Sequence, residues 1–473
     1  MIKVAIIGMG ISGSAVLDTY AHSLSAAQIR HYLIDCYDQA DSWGRGLPFR
    51  ADDCDVLVNT RAETISYSYY QPGHYADWLH SQGVDQSYSS RQTYGDYLRG
   101  YTYQAASQVQ ARIINHWVDR LDYLEDTQQW QVHPGGRIYD RIHLCVGRTA
   151  YQDPYQLQGK PTYIHQPYPL EQELKSINQG SRLGILGSNL TAIDITKYLA
   201  KQKEAHKIYL LSRQGQVPVA DVLQKSSLSF YHLTIDRVRE RIKLDKGLVF
   251  SELDHLIQAE FQAHGINWAH YQSTRLEAGL ASLRDSLDHP EEVAIAELIF
   301  LQLTRLLNLY WSQMTPQDQE LFLAKYHRTS QLTKAKIPPE SAEGLLDLAN
   351  SRQLEVLAGI HDIRPLYPGF LINQALKLDY LINGMGLDPA IQNQPLLAQL
   401  ASQGIIEADP RWGIKIEAKT SQIKSPRWGI LANATAHGLL VEGTIYQANS
   451  IYIIQAQAAR AIRQIIKNDS KFA

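Results

Sequence analysis

The chain opens with a short run of β-branched and aliphatic residues at 3–7, which predicts a buried strand. Glycine then recurs as Gly8, Gly10 and Gly13, after which apolar residues follow at helical spacing. This order predicts a strand, a tight turn and a helix, the first part of a Rossmann-like unit. A second strand–turn–helix–strand pattern occupies residues 182–211. Two such units in one chain predict an α/β fold.

Between residues 221 and 350 glycine becomes scarce, and leucine and isoleucine recur with the spacing of a helix. This pattern predicts a large helical insertion. Apolar strand patterns return at 354–363 and at 428–438, and a final helix is predicted over 448–466. We therefore expect three stretches: 1–150 and 391–473 as the two parts of one dinucleotide-binding domain, and 151–390, containing the insertion 221–350, as a second domain.

Composition removes several classes of function. The 473 residues include 45 Lys and Arg against 48 Asp and Glu, a net charge of −3, so no basic surface for nucleic acid is expected. No apolar run reaches the roughly 18 residues of a membrane span. Cys36, Cys54 and Cys145 form no C-x-x-C pair, which argues against a disulfide framework, a thiol zinc site and disulfide-reductase chemistry. We expect a cytoplasmic protein without a membrane partner or a bound metal.

The first glycine turn has the spacing G-x-G-x-x-G, a dinucleotide-binding fingerprint. Gly8 permits the turn, Gly10 lets the backbone approach a pyrophosphate, and Gly13 allows the helix to pack closely on the strand. Because a helix N-terminus attracts anions, Ile11 and Ser12 are also expected to bind the cofactor.

An acidic residue at the end of the second strand normally holds the ribose hydroxyls, about 20 residues after the fingerprint. The segment 32–38 offers two candidates, Asp35 and Asp38. Asp35 lies nearer the expected spacing, whereas Asp38 closes the strand. Both residues remain candidates on the sequence alone.

Three further motifs follow the fingerprint and the strand-end acid: G-R-G-L-P-F at 44–49, L-V-N at 57–59 and R-Q-T-Y-G-D-Y-L at 91–98. With this series the chain resembles the bacterial FAD-NAD(P)-binding proteins related to flavin-dependent N-hydroxylating monooxygenases. The resemblance extends over nearly the whole chain, and it implies FAD and NAD(P) as cofactors.

The resemblance also assigns residues to the flavin site. It places the loop of Gly44, Arg45 and Gly46 beside the flavin together with Asn59, and it puts Arg91 near the cofactor or at the anchor of its helix. The alternative for Arg45 is a surface salt bridge. Further cofactor contacts are predicted for Val118, Cys145, Gly147, Thr435, His437 and Gly438, of which Cys145 has a buried structural thiol as its alternative.

The second unit predicts a nicotinamide nucleotide site at Gly187, Ser188, Asn189 and Leu190, where Asn189 replaces the middle glycine of the fingerprint. Arg213 ends its second strand where an acid would otherwise stand, which favours NADP over NAD because it can accommodate a 2′-phosphate. The alternative is a second Rossmann unit kept only as a scaffold.

The main functional hypothesis is a FAD-dependent oxidoreductase that takes hydride from NADPH or NADH and acts on a small molecule, with dioxygen as co-substrate if it is an N-hydroxylating monooxygenase. The alternative is a flavin-binding sensor or interaction protein with a degenerate nucleotide site. Candidate catalytic residues are Asn59, His165 and His437, with His165 in a linker that resembles a flavin monooxygenase hinge. The substrate and the oligomeric state stay open.

Tyrosine is the one unusual residue type, with 28 Tyr against 8 Phe and 8 Trp. The group Tyr67, Tyr69 and Tyr70, just after Asn59, is predicted near the flavin. Core packing with a satisfied hydroxyl is the expectation for most of the others.

Overall fold

The computed structural model of the chain describes residues 1–202, 206–223, 225, 227–245, 247–409 and 411–469. The other positions, which include three within the predicted insertion 221–350 and the end of the predicted stretch 391–473, lie outside the described residues. The chain divides into two compact units. Unit 1 contains Met1–Ala51, Thr60–Ala150 and Leu387–Ala473, and unit 2 contains Asp52–Asn59 and Tyr151–Gly386.

The strands are numbered in chain order. They are β1 Ile2–Ile7, β2 Tyr32–Asp38, β3 Arg112–Asn115, β4 Arg120–Leu124, β5 Gln129–His133, β6 Arg137–Tyr139, β7 Arg141–Leu144, β8 Tyr163–Ile164, β9 Arg182–Leu186, β10 Lys207–Leu211, β11 Leu354–Leu357, β12 Ile363–Pro365, β13 Phe370–Ile372, β14 Leu376–Leu378, β15 Tyr380–Asn383, β16 Gln422–Ser425 and β17 Gly429–Ala436.

The α-helices are numbered in the same way. They are α1 Ile11–Ser23, α2 Ala26–Ile29, α3 His74–Ser81, α4 Arg91–Gln108, α5 Leu170–Glu173, α6 Leu190–Ala200, α7 Ile235–Asp245, α8 Phe250–Ala263, α9 Trp268–Arg275, α10 Ala281–Asp288, α11 Pro290–Tyr310, α12 Pro316–Phe322, α13 Arg328–Lys334, α14 Pro339–Asn350, α15 Pro395–Ser402 and α16 Ile451–Asp469. A π-helical turn, Leu323–His327, joins α12 to α13.

Unit 1 is built on a sheet with the strand order β16-β17-β7-β1-β2-β3, parallel except for β16. Strand β1 pairs with β2 on one side and with β7 on the other, and Ile7 lies opposite both Tyr37 and Leu144. The carboxyl ends of these three strands therefore meet at one edge of the sheet, where an open α/β sheet binds its ligands.

The two faces of this sheet are covered differently. Helices α1 and α16 pack against each other and α1 contacts the sheet. A second, antiparallel sheet of β4, β5 and β6 contributes Trp130 and Val132 to the hydrophobic core that contains Ile142 and Leu144 of β7. Both faces of this sheet are therefore covered by other elements of unit 1.

Unit 2 contains a parallel sheet with the order β11-β10-β9-β15-β8. Its core joins apolar residues of β9 and β10 to those of α6 and α14. Helices α7 to α14 lie between β10 and β11 in the chain, in the part where the sequence predicts a helical insertion. A small antiparallel sheet of β12, β13 and β14 completes the unit. The predicted α/β fold class with parallel sheets is confirmed.

One segment of the described residues, Pro290–Gln313, is long and apolar enough to cross a membrane by length and composition alone. Within its most apolar window, 56% is buried inside the structure. Helix α11 buries Ile299, Phe300, Leu303 and Leu307, which is how a core helix passes the same test.

Candidate functional site

A cavity of about 330 Å³ opens at the carboxyl edge of the unit 1 sheet. Strand ends and glycine turns form its walls. The lining residues are Ile7, Gly8, Gly10, Ile11, Ser12, Tyr37, Asp38, Ser42, Arg45, Gly46, Leu47, Pro48, Phe49, His116, Trp117, Val118, Cys145, Val146, Gly147, Arg148, Thr149, Leu387, Leu439, Asn449, Ile451 and Ile454. The cavity therefore contains most of the residues that the sequence assigns to the first cofactor.

The glycine turn after β1 is held in a shape that only glycine fits. Gly8 has φ +89°, and a Cβ there would lie 2.7 Å from the carbonyl oxygen of Cys145. A Cβ on Gly13 would overlap the carbonyl oxygen of Gly8, so α1 starts directly against the end of β1. A Cβ on Gly10 would lie 3.3 Å from the Cα of Gly46, so two backbones face each other across a narrow space.

The N-terminus of α1 is open to a ligand. Gly10 is its N-cap and supplies no side-chain hydrogen bond, and no acidic residue stands in the first turn. The first N–H groups of this 13-residue helix and its dipole are thus available to an anion, and Gly10, Ile11 and Ser12 line the cavity.

The structure separates the two candidate acids. Asp38 lies at the end of β2 in the cavity wall and accepts hydrogen bonds from the backbone of Met9 at 2.6 Å and of Gln39 at 2.7 Å. Burial raises the pKa of Asp38, and the two backbone N–H groups oppose that rise. Asp35 is fully buried, pairs with Arg112 and does not line the cavity. Its prediction as a ribose ligand is therefore corrected.

The loop of Gly44, Arg45 and Gly46 divides between the cavity and helix α4. Arg45 and Gly46 line the cavity, and Arg45 forms an ion pair with Asp96. The Nε atom of Arg45 is buried without a hydrogen-bond partner, so one donor of this guanidinium still lacks an acceptor. Gly44 instead packs on α4, where a Cβ would lie 2.7 Å from the Cα of Arg99.

Arg91 is the first residue of α4 and is not part of the cavity wall, which agrees with a place at the start of its helix rather than at the ligand. Val118, Cys145 and Gly147 do line the cavity. Cys145 is buried, and burial raises the pKa of its thiol, so the thiolate is disfavoured.

In unit 1, four buried side chains form a hydrogen-bonded series. The Tyr20 hydroxyl lies 3.0 Å from Nε2 of His143, and Nδ1 of His143 lies 2.7 Å from the Thr435 hydroxyl. That hydroxyl lies 2.8 Å from Nε2 of His437, whose Nδ1 is buried without a partner.

The series is neutral at physiological pH. Burial lowers the pKa of His437 to about 3 and the pKa of His143 well below its usual 6.5. Thr435 and His437 do not line the cavity. Gly438 is also outside the lining, and its φ is +73°. A Cβ on Gly438 would overlap the hydroxyl of Ser12, which does line the cavity. The predicted flavin contacts of Thr435, His437 and Gly438 therefore remain predictions.

The second glycine turn, in unit 2, has the expected backbone. Gly187 has φ +110°, and a Cβ there would lie 2.6 Å from the carbonyl oxygen of Gly384. Ser188 donates to the carbonyl oxygen of Gln216 at 2.5 Å, and Leu190 begins α6. Asn189, the N-cap of α6, has φ −95°, a backbone that any residue adopts, so the position does not need glycine.

Two arginines stand near this turn. Arg213 is exposed just after β10, as its predicted role requires. Sequence reasoning missed Arg328, at the start of α13, which donates from Nε to Gln216 Oε1 at 2.7 Å and places Nη1 3.5 Å from Asn189 Oδ1. A lone arginine within a helical insertion carries no sequence signal for this position.

The predicted catalytic candidates Asn59 and His165 belong to unit 2, and neither lines the cavity of unit 1. Asn59 is half-buried. His165 follows β8, its ring centroid is 6.0 Å from that of Tyr151 and 5.9 Å from that of Tyr163, and its Nδ1 is buried without a partner. Their roles remain predictions.

Several cavity residues were not foreseen. His116, Trp117 and Asn449 line the cavity, and so does Arg148, which pairs with Glu442 at 2.8 Å. Conversely, none of the predicted group Tyr67, Tyr69 and Tyr70 lines the cavity. Tyr67 is buried beside another tyrosine ring, and Tyr69 and Tyr70 pack edge to face on each other, so the flavin contact of this group stays a prediction.

The ligand-type side chains of Asp53, Cys54 and Asp55 lie within 4.8 Å of one another in unit 2. Lys201 forms ion pairs with both aspartates and so supplies the positive charge there. We assign no metal to this group.

Comparison with known proteins agrees with this geometry. Residues 5–149 match the family model described as FAD-NAD(P)-binding. A comparison with curated protein sequences gives no match.

The whole chain is similar in fold to solved N-hydroxylating enzymes. Ornithine N-hydroxylase of Kutzneria sp. 744, solved with reduced FAD, NADP⁺ and L-ornithine, gives a TM-score of 0.60 at 13% identity, with 98% of this chain and 99% of that chain covered. Ornithine hydroxylase from Pseudomonas aeruginosa gives 0.59 at 12% identity, with 98% of each chain covered. L-lysine 6-monooxygenase from Pseudomonas syringae gives 0.58 at 15% identity, with 98% and 99% covered.

The resemblance seen in the sequence is thus confirmed at the level of the fold. Identities this low establish an architecture, whereas activity has to be argued from the site. Residues 5–149 thus match the family model described as FAD-NAD(P)-binding, and over nearly its full length the chain has the fold of the solved ornithine hydroxylases and of L-lysine 6-monooxygenase.

Proposed function

We propose that this protein is a FAD-dependent oxidoreductase that takes hydride from NADPH and hydroxylates the amine of a small molecule with dioxygen. The observation that carries the proposal is the unit 1 cavity, where a glycine turn, an open helix N-terminus and a strand-end carboxylate meet. Its support is the fold shared with an enzyme solved with reduced FAD, NADP⁺ and L-ornithine.

The residues present fit FAD. The backbones of Gly10 and Gly46 face each other across a space that side chains at these positions would fill. The buried Nε of Arg45 has no hydrogen-bond acceptor, and an oxygen of the ligand would supply one. The α1 N-terminus would hold the pyrophosphate, and Asp38 would accept hydrogen bonds from the ribose hydroxyls. When bound, FAD accepts hydride and activates dioxygen. The protein binds and orients the cofactor, and its apolar walls exclude water.

We assign NADPH to the second turn, in unit 2. Leu190 begins a helix whose N-cap residue makes no side-chain cap, which leaves the first N–H groups for a pyrophosphate. Arg213 would bind a 2′-phosphate from the end of β10, and Arg328 adds a second guanidinium beside the turn. We accordingly take residues 1–150 with 391–473 as the FAD domain and 151–390, with the insertion 221–350, as the NADP domain, close to the division into two compact units.

The proposed substrate class is a primary amine on a small flexible carbon chain, because ornithine, lysine and cadaverine enzymes share this fold. The location we propose is the cytoplasm of a bacterial cell. Three unpaired cysteines, two of them buried, agree with a reducing compartment.

A sequence of three measurements tests the proposal. The visible spectrum of the purified protein gives the bound flavin, and anaerobic mixing with NADPH or NADH shows which nucleotide bleaches it. Oxygen consumption and hydroxylamine formation are then compared with and without L-ornithine, L-lysine and cadaverine.

Amine-dependent oxygen uptake with a hydroxylamine product is the expected result. Flavin that NADPH reduces without any amine effect would leave a reductase and refute hydroxylation of these amines. Flavin that neither nucleotide bleaches would refute the oxidoreductase and favour a flavin-binding sensor.

A further inference from the structure

A continuous series of aromatic rings leads away from the cavity in unit 1. We call it the aromatic chain, and its members are Phe49, Tyr94, Tyr75, Tyr97, Trp78 and Tyr101. Ring centroids are separated by 5.1 Å from Phe49 to Tyr94, 4.7 Å from Tyr94 to Tyr75 and 4.8 Å from Tyr75 to Tyr97. From Tyr97 the next centroids are those of Trp78 at 5.3 Å and Tyr101 at 5.0 Å.

The aromatic chain runs from the cavity wall through the core to half-buried rings. Phe49 lines the cavity, and Tyr94, Tyr75 and Tyr97 are each at most 1% exposed. Trp78 and Tyr101 are half-buried. The contact at the cavity end is fixed, because a Cβ on Gly95 would overlap the carbonyl oxygen of Phe49, so α4 lies directly against that backbone.

Tyr97 differs from the other buried tyrosines of the aromatic chain in the partner of its hydroxyl. The hydroxyl accepts a hydrogen bond from the backbone N–H of Tyr67 at 2.9 Å and lies 2.9 Å from Nδ1 of His74. The Ser66 side chain also hydrogen-bonds this phenol. Since the Tyr67 N–H can only donate, the phenol proton can point at the imidazole nitrogen. His74 is half-buried and its ring also contacts Tyr101, at 4.8 Å.

The partners of Tyr94 and Tyr75 are not bases. The Tyr94 hydroxyl donates to the carbonyl oxygen of Ser66 at 3.3 Å, and the Tyr75 hydroxyl lies 2.5 Å from the Ser89 hydroxyl. A phenol that loses an electron becomes strongly acidic and needs a proton acceptor. Burial raises the pKa of the Tyr97 phenol, so this group is protonated before oxidation. The imidazole nitrogen of His74, 2.9 Å from the Tyr97 hydroxyl, is placed to accept this proton directly.

We propose that the aromatic chain is a radical-transfer route that carries one-electron oxidising equivalents from the cavity to the surface, with Tyr97 and His74 as its proton-coupled relay. A hydroperoxyl or hydroxyl radical formed in the cavity takes one electron from Tyr97 by way of Tyr94 and Tyr75 and is reduced to hydroperoxide or hydroxide. The Tyr97 phenol proton moves to Nδ1 of His74, which leaves a neutral tyrosyl radical and an imidazolium.

A thiol or ascorbate-type reductant at the surface then returns one electron through Trp78 or Tyr101, and His74 returns the proton. The cycle restores every group and consumes one reducing equivalent for each oxidant removed. This route goes beyond the proposed hydroxylation, because it would remove oxidising radicals from the cavity before they damage the protein.

The first experiment supplies its own oxidant and therefore does not depend on the proposed flavin chemistry. The full-length protein is mixed with tris(bipyridine)ruthenium(II) and persulfate, flashed with light and frozen for electron paramagnetic resonance. Exposed tyrosines such as Tyr367 will contribute to the tyrosyl signal. We expect beside it a component with the g values of a hydrogen-bonded phenoxyl radical, and this component should be lost in Tyr97→Phe. The matched control is Tyr271→Phe, a buried tyrosine of α9 whose hydroxyl lies 3.0 Å from that of Thr333 and which should keep this component.

The proton acceptor is tested with His74→Ala. Radical formation should be slower in this variant and should recover when free imidazole is added, a response that a merely structural role would not produce. An unchanged component in Tyr97→Phe, an equal loss in Tyr271→Phe, or His74→Ala kinetics identical to wild type would each overturn the relay. If Tyr97→Phe fails to fold, the His74→Ala measurement still decides.

A second experiment tests the link to the cavity in the flavin-loaded protein. Blue-light excitation of the flavin, with ferricyanide as the final electron acceptor, should give the same tyrosyl signal, and Phe49→Leu should lower its yield. A protein that binds no flavin would refute the proposed function, while the ruthenium experiment would still support or overturn the relay. An unchanged yield in Phe49→Leu would overturn the connection between the cavity and the aromatic chain.

Discussion

Arg112 binds both carboxylate oxygens of Asp35, from Nε to Oδ1 and from Nη2 to Oδ2, each at 2.6 Å. The two residues lie opposite each other in the parallel pair β2 and β3. Tyr139 donates a further hydrogen bond to Oδ2 of Asp35 at 2.5 Å, and Arg137 Nη1 lies 3.3 Å from the same oxygen. This buried carboxylate is thus fully occupied by the protein, which leaves Asp38 as the acid available to a ligand.

The two acids should therefore respond differently to the same substitution. Asp35→Asn should lower the free energy of unfolding by about 2 kcal/mol, because it weakens charge-assisted hydrogen bonds at a buried carboxylate. The loss is limited to this size because the partner, Arg112, is half exposed to solvent. Flavin stoichiometry should stay unchanged. Asp38→Asn should weaken FAD binding by about tenfold, the value of one lost charge-assisted hydrogen bond.

Urea unfolding and flavin titration of the two variants measure both quantities, and each variant is the control for the other. Loss of flavin binding in Asp35→Asn with an intact Asp38→Asn site would reverse our assignment of the ribose acid.

The comparison of these acids shows what the sequence can predict about the site. The glycine fingerprint restricts the backbone itself, so Gly8, Gly10 and Gly13 are predictable from their spacing alone. The spacing between the fingerprint and the acid varies by a few residues. The sequence around Asp35 and Asp38 does not indicate which side chains form hydrogen bonds or ion pairs with either carboxylate. Arg112 lies 77 positions from Asp35 in the chain, so the ion pair that occupies Asp35 emerges only when β3 pairs with β2.

The fold itself is more predictable, because strand and helix periodicities repeat over whole elements. The glycine-poor stretch with leucine at helical spacing and the helices α7 to α14 occupy the same part of the chain. Two kinds of feature escape this reasoning. Arg328 approaches the second turn from an insertion whose packing has no sequence signature. Thr435, the partner of His437, also bonds to His143 of strand β7, which lies far away in the sequence.

Glycine positions provide a second prediction. Gly10→Ala should lower the affinity for FAD while leaving the free energy of unfolding nearly unchanged, because its φ of −72° suits alanine and only the space facing Gly46 is lost. Gly100→Ala is the matched control, since Gly100 is exposed within α4 and a Cβ there meets no atom within 4 Å.

The control should raise the free energy of unfolding by about 0.5–1 kcal/mol through helix propensity and leave flavin binding unchanged. The measurements are flavin titration and thermal or urea unfolding. Equal flavin affinity in Gly10→Ala and the wild type would contradict a close approach of the ligand to this turn.

The buried histidines give the protein a defined acid sensitivity. His437 has a pKa lowered to about 3 and His143 one well below 6.5, whereas both regain ordinary values when the chain unfolds. The unfolded state then binds more protons as the pH falls, so their stabilising contribution is fully present above pH 6.5 and is lost as the pH falls towards 3. Each histidine should contribute a slope of up to about 1.4 kcal/mol per pH unit.

Urea unfolding at several pH values between 4.5 and 7 measures this slope. His437→Gln should flatten it, whereas replacement of the exposed His80 by Gln should leave it unchanged. A slope in His437→Gln as steep as that of the wild type would show that this imidazole is not buried in its neutral form.

The two arginines near the second turn should separate nucleotide specificity from nucleotide binding. Arg213→Ala should raise the Kd for NADPH by about tenfold and leave that for NADH unchanged, because only NADPH carries the 2′-phosphate that a guanidinium binds as a charged pair. Arg328→Ala should weaken the binding of both nucleotides, because its guanidinium lies beside Gln216 and Asn189 at the turn that both nucleotides would contact.

Arg364→Ala, which removes an exposed ion pair with Asp362, is the control and should change neither Kd. Fluorescence titration of each variant with both nucleotides checks the pattern, and an equal loss for NADPH and NADH in Arg213→Ala would place the 2′-phosphate elsewhere.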